Sequence, residues 1–173
     1  MLDQVGLPDL TMRRLALELD VQPSALYWHY ANKQTLLAEV SNAIVAFTRP
    51  AGAADNWQQK VLREALNLRD ALLAFRDGAE VVSSTLALGL GASDAVSRIE
   101  KSIALTDSKL VKAAAESIVF LVLGSVWHEQ QRMQANSLGV ADNLLDEINA
   151  PARNLEVGLE LIIAGLNEAK VKA

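Results

Sequence analysis

Few side chains in this 173-residue chain could carry chemistry, and they fall into two clusters. The first is Tyr27-Trp28-His29, closing a run that opens with Pro23, Ser24 and Ala25; the second is Trp127-His128-Glu129, followed by Gln131, inside an otherwise apolar stretch. His29 and His128 are the only histidines, and there is no cysteine, so neither a disulfide framework nor a thiolate metal site can form. No Glu-x-x-His pair of the helical di-iron type is present, and Trp28-His29 has no acid beside it in sequence. The sequence therefore predicts no enzyme: no catalytic residue, no metal and no cofactor.

Three consecutive large side chains on a helix cannot all face one core. Outward-facing Tyr27, Trp28 and His29 offer donors to phosphates and flat apolar surface to bases, as a DNA-reading helix requires. Packing against another domain is the other reading, and the residues alone leave both open. The second cluster is equally two-sided. His128 and Gln131 could anchor a small molecule in a pocket; alternatively His128 and Glu129 are solvated at a helix end, with Trp127 in the core.

The elements that must position these clusters read as helical throughout. Leu10 to Leu19 forms a short helix capped by Thr11, with Leu15, Ala16 and Leu19 as its apolar stripe. Asp20 marks the turn, and Pro23 suits the first turn of a second helix, in which Val21 and Leu26 face back onto the first. Two short helices joined by a tight turn match a helix-turn-helix. Asn32 can cap a third helix, from Lys33 to about Thr48, ending before the linker-like Pro50-Ala-Gly-Ala-Ala54. Beyond it, helices are expected over Asn56 to Phe75, Glu80 to Leu88 and Ser93 to Ala104. An apolar helix capped by Asp107 should then run from Ser108 to about Met133, and a last one from Leu155 to Lys170. Residues 134–152 read as a loop with a short helix. The expected fold is all-α: an N-terminal helix-turn-helix DNA-binding domain over residues 1–49 and a larger helical ligand-binding and dimerisation domain over residues 50–173.

Charge gives DNA binding no help. The net charge is −5, and the first 49 residues carry four Lys/Arg against five Asp/Glu, so any contact must come from a few placed residues. No apolar run approaches the ~18 residues of a membrane span, and the longest, Ile118 to Gly124, reads as a fully buried helix segment. With no secretory signal, a cytoplasmic protein without membrane contact is expected.

The run from Leu10 to Leu37, with its Leu-Tyr-Trp-His motif followed by Asn32-Lys33 and Leu36-Leu37, resembles the DNA-binding domain of the tetracycline-repressor family. Trp57-Gln58, Ala71 to Ala79 and Gly158 to Leu166 are similar to stretches of that family's C-terminal domain. The resemblance implies a ligand-responsive transcriptional repressor that binds a palindromic double-stranded DNA operator as a homodimer. By it, Arg13 reaches a base edge or phosphate, Pro23, Ser24, Ala25, Tyr27, Trp28 and His29 lie along the major groove, and Lys33 sits on the DNA backbone. Met12 and Ala25 stand where the tetracycline repressors have hydroxyl side chains, so their operator sequence is not implied. The family's motif follows a longer first helix, and Leu2 to Gly6 matches only its end. A similar shortfall is expected between Ile103 and Thr106.

Glu64, Leu68, Leu72, Phe75, Val82, Leu86, Trp127, His128 and Gln131 are the candidate ligand-binding residues. Tetracycline-binding members of the family place their first magnesium-coordinating histidine where this chain has Val82. They have an arginine in place of Leu86, and the asparagine that holds the drug in place of Glu64. The effector is therefore expected to be a hydrophobic small molecule and not magnesium–tetracycline. Gly124 and Ser125 on one late helix, and Gly158, Ala164 and Gly165 on the last, permit close approach of a second copy or ordinary packing within one chain. The resemblance favours the former, as a four-helix bundle between subunits. A ligand-binding co-regulator that has lost DNA binding is the alternative, and the acidic N-terminal part keeps it in view.

Overall fold

Side-chain caps open four of the described helices. The computed structural model describes residues 2–49, 56–104, 107–139 and 150–171, and among them every regular element is an α-helix. After a single turn, α1 (Leu2–Val5), come α2 (Met12–Glu18) and α3 (Pro23–His29). Thr11 Oγ1 accepts from the Arg14 amide at 3.1 Å, and Asp20 reverses the chain in the left-handed region at φ 53°. At the start of α4 (Lys33–Ala46), Asn32 Oδ1 accepts from the Thr35 amide at 3.0 Å while Thr35 Oγ1 accepts from the Asn32 amide at 3.2 Å. That reciprocal box satisfies two otherwise orphaned donors. Asp107 caps α8 (Ser108–Ser137) as expected, and Asn56, expected as the first residue of its helix, is instead the cap of α5 (Trp57–Leu73).

The remaining elements depart from expectation at their ends. α6 is Gly78–Ala87, and α7 stops at Glu100 instead of Ala104, with the Ser102 and Ile103 amides folding back onto the Ile99 carbonyl. α8 runs on through Ser137, claiming part of the stretch expected to be loop, and α9 (Ala150–Val171) begins before Leu155. The expected linker at 50–54, the joint at 105–106 and the rest of the expected loop at 140–149 lie outside the described residues.

Two apolar clusters hold these helices. The smaller joins Met12, Ala16, Leu26 and Leu36, flanked by Leu15 and Tyr30. Ala16 is fully buried, so its small side chain is what lets α2 and α3 approach. Leu19 and Val21 were expected to join this cluster, yet both are exposed. The reason is that α2 ends at Glu18, and Met12, one turn before Ala16, takes the stripe position assigned to Leu19. The larger cluster runs from Leu7 and Leu10 through Leu37, Ile44 and Val45 to α5, α6, α7, α8 and α9.

α8 is the central element of the second cluster, packing on α5, α6, α7 and α9. Ile118, Val119, Val122 and Val126 are fully buried at helical spacing, each stabilising by about 1.5–3 kcal/mol. The run from Ile118 to Gly124 is not wholly buried as expected, because Phe120 and Gly124 face outward. Among the described residues α8 is the one helix long and apolar enough by composition to cross a membrane. Its most apolar window has mean hydropathy 1.7 and is 39% buried within the protein.

Gly78 shows how tight the α5–α6 corner is. A Cβ at this position would run into the Leu72 carbonyl oxygen, a backbone atom that cannot swing aside. Gly78→Ala should therefore destabilise the protein by about 2 kcal/mol or more, read as a lowered thermal midpoint.

Candidate nucleic-acid interface and ligand site

α3 turns one apolar residue, Leu26, onto α2 and leaves its other face bare. Ser24, Ala25, Tyr27, Trp28 and His29 are exposed and Pro23 half-buried. Trp28 is 87% and Tyr27 53% exposed, which removes packing against another part of this chain as the account of these aromatics. Arg13 is exposed on the neighbouring α2, where it and Arg14 border an open groove of about 830 Å³ that continues past Gln22 to Pro23. Lys33, expected on the same surface, is half-buried, and its Nζ donates to the Leu7 carbonyl at 3.2 Å.

The nine candidate ligand residues fall in four different places. Leu68, Leu72 and Val82 belong to the packed core, with Phe75 and Leu86 partly buried against it. Phe75 also stands edge-on to Phe47, ring centroids 5.5 Å apart. Trp127 and His128, stacked at a steep angle 5.1 Å apart, border a surface groove of about 550 Å³ between α6 and α8, lined also by Phe120, Ser83 and Ser84. Gln131 is exposed.

Glu64 sits at a junction of charged groups. It is 9% exposed and accepts from Arg98 Nε at 3.1 Å and Nη2 at 2.9 Å. The same guanidinium donates to Thr48 Oγ1 and to the Arg49 carbonyl at 3.1 Å, so one side chain on α7 joins α5 to the end of α4. Sequence reading missed Arg98 because nothing in its local pattern separates it from a solvated helix charge. Glu129 is neither a pocket anchor nor a solvated residue. It forms a two-pronged pair with Arg69 Nη2, both contacts 2.9 Å, which ties α8 to α5.

The buried glutamine is Gln130, not its neighbour. It is 7% exposed, donates from Nε2 to the Leu72 and Phe75 carbonyls at 3.1 and 2.9 Å, and accepts from the Ala79 amide at 3.2 Å. It thereby satisfies the free Ala79 amide at the start of α6 and adds a second donor to two carbonyls that already accept from the Phe75 and Gly78 amides at the end of α5. A polar residue within an apolar run was the available signal, and the helical register decides which of two adjacent glutamines points inward.

Comparison with known proteins agrees with this arrangement. Residues 1–40 match the model for bacterial regulatory proteins of the tetR family, and residues 49–151 that for the tetracyclin repressor-like C-terminal domain. The class E tetracycline repressor protein of Escherichia coli is 35% identical over 96% of this chain and 85% of its own length. The crystal structure of Mycobacterium smegmatis BioQ superimposes with a TM-score of 0.81 at 39% identity, covering 95% of this chain and 90% of that one. BioQ bound to its natural double-stranded DNA operator matches at 37% identity, with TM-score 0.74 and the same coverage. A TetR variant from Acinetobacter baumannii AYE in complex with minocycline matches at 30% identity and TM-score 0.77, covering 98% of this chain and 91% of that one.

The chain belongs to the tetR family of bacterial regulatory proteins. It is a transcriptional regulator with an operator-binding helix-turn-helix and a ligand-binding C-terminal domain, and not an enzyme.

Replacing Gln130 by Leu leaves the Ala79 amide without a partner in the interior and the Leu72 and Phe75 carbonyls with their turn bonds alone. It should lower stability by about 2–3 kcal/mol in denaturant titration, whereas Gln131→Leu should stay within about 0.5 kcal/mol. Arg98→Ala leaves the Glu64 carboxylate buried without its partner. After allowance for the partial exposure of the pair it should cost about 1–3 kcal/mol, and Glu64→Gln less.

Proposed function

We propose that this regulator is a repressor, working as a homodimer that binds a palindromic operator and is released from it by a hydrophobic small molecule. The observation that carries the DNA-reading part is the bare face of α3, where Tyr27, Trp28 and His29 stand exposed beside Arg13. Leu26 alone holds that helix to α2, so the side chains that read bases are free of structural duty. Pro23 and Ala25 offer apolar contact to thymine methyls, and Ser24, Tyr27, His29 and Arg13 supply polar contacts to base edges and phosphates. The match to a protein crystallised on its own operator supports this reading.

Two-fold symmetry follows from the task, since a helix-turn-helix reads a palindrome only when two copies place their α3 helices about one DNA turn apart, roughly 34–36 Å. Support comes from an apolar face with no partner in the single chain. Phe120 and Trp127 on α8 and Val157 and Leu161 on α9 are exposed at helical spacing. Gly124 and Gly165 open onto empty space in the same region, while Gly158 is already filled by Leu121 of its own chain. An isologous bundle of α8 and α9 from two subunits covers this face.

For the effector, Val82 and Leu86 present apolar surface where magnesium–tetracycline binders need ligands, and the Glu64 carboxylate is engaged by Arg98. The candidate ligand residues Leu68, Leu72 and Val82 are closely packed, so a ligand must select a more open arrangement and thereby shift the population away from the DNA-bound geometry.

Selection from a randomised DNA pool at physiological salt should enrich a palindrome, and Tyr27→Ala or Trp28→Ala should abolish the enrichment. A well-folded dimer that enriches nothing would instead mark a ligand-binding co-regulator. In calorimetric titration, magnesium–tetracycline should show no micromolar binding; a micromolar constant would remove the hydrophobic-effector reading.

A further inference from the structure

The last turn of α4 holds no basic residue, although the carbonyls there form the negative end of the helix dipole. Another helix supplies the charge. Arg98, in the last turn of α7, donates from Nη1 to Thr48 Oγ1 and from Nη2 to the Arg49 carbonyl at 3.1 Å. Thr48 Oγ1 extends the contact inward by donating to the Val45 carbonyl at 2.7 Å. The Arg49 carbonyl is held from a second side by Asn67 Nδ2 of α5 at 3.0 Å. Glu64, on the turn of α5 before Asn67, takes Nε and Nη2 of the same guanidinium on one oxygen, Oε2, at 3.1 and 2.9 Å. That pairing fixes the plane of the guanidinium and so the direction in which its other N–H groups point.

We infer that Arg98 is a positioning residue for operator binding: aimed by Glu64, it latches the end of α4 to α5 and α7 and so sets where the helix-turn-helix stands. The inference rests on the operator-binding reading above. Length gives the latch its leverage. α4 has 14 residues and is about 21 Å long, so a small change of angle at Thr48 becomes a larger displacement at Lys33, where the reading head begins. The chemistry is that of a latch. One planar cation meets a carboxylate, a hydroxyl and a carbonyl from three helix ends or faces, and each bond is charge-assisted and directional. Because Arg98 stands at the end of α4 away from the reading head, it acts through Thr48 and Arg49 and not by touching DNA.

The test is binding to the selected operator duplex, repeated from about 50 to 200 mM salt. Arg98→Met and Thr48→Val should each weaken binding about tenfold, and the double variant no more than Arg98→Met alone. Thr48→Ser, which keeps the hydroxyl, should bind as the wild type does. The salt slope of Arg98→Met should equal that of the wild type; a slope smaller by about 1 would make Arg98 a phosphate ligand and overturn the proposal. Ile99→Val removes a buried methyl from the same helix and also lowers the thermal midpoint, yet it should bind operator normally. An equal loss of affinity in Ile99→Val, or wild-type affinity in Arg98→Met, would reduce Arg98 to a stability residue and overturn the proposal. Should Arg98→Met fail to fold, Thr48→Val set against Thr48→Ser decides. Amide exchange separates failure of the latch from failure of the DNA reading. The Phe47 and Thr48 N–H groups should exchange about tenfold faster in Arg98→Met, with those of α8 unchanged, even if no operator is recovered. Unchanged protection at Phe47 and Thr48 would overturn the latch on its own.

Discussion

A helix corner buried in a protein interior has backbone groups that no water can reach, and the α5–α6 corner is where this chain meets that constraint most severely. α5 ends and α6 begins inside the larger core, which leaves carbonyls with only turn bonds on one side and first-turn amides on the other. Gln130 answers both from the middle of α8, with two donated bonds and one accepted. Gly78 permits the turn because nothing larger clears the Leu72 carbonyl. Asp77 adopts φ 56°, a left-handed conformation that costs a non-glycine residue about 1–2 kcal/mol, and its carboxylate bonds to Leu7 and Gln134 offset that cost. The corner thus organises α8, α5, α6 and the N-terminal segment at once.

The reading head is tied to the ligand domain by apolar packing of Leu37, Ile44 and Val45 and, beside it, by polar groups along α4. α4 carries the head and is held at its start by Lys33 on the Leu7 carbonyl. In its middle, Asn42 Oδ1 accepts from the Ala92 amide at 2.8 Å, and Gly91 lets the α6–α7 joint lie against Ala38 and Ser41. At its end Arg98 grips Thr48 and the Arg49 carbonyl. Individual bonds of this kind contribute about 0.5–3 kcal/mol, which is the scale of the 1–3 kcal/mol couplings by which one ligand alters another's affinity. A purely apolar seam would have been stronger and less readily shifted. Glu64 and Arg98 join α5 and α7 to the residues that follow α4.

The sequence by itself determined the parts of the protein that depend on neighbours within a few residues. Thr11, Asn32, Asn56 and Asp107 cap where their chemistry says they should, Pro23 opens α3, and Asp20 turns left-handed between the motif helices. The all-helical class was legible for the same reason, since period and residue type are local, but that Tyr27, Trp28 and His29 face solvent and not another domain was decided by the tertiary structure. Residue-by-residue placement was not. The α2 stripe uses Met12 where Leu19 was expected, and α8 turns Gln130 inward and Gln131 outward, because a one-residue shift rotates a side chain by about 100° on a helix. Only the tertiary structure paired Glu64 with Arg98, Glu129 with Arg69 and Asp77 with Leu7, contacts that span 34, 60 and 70 residues of chain. Charges so far apart carry no pattern in sequence, and it is the packing of the helices that decides which of them meet.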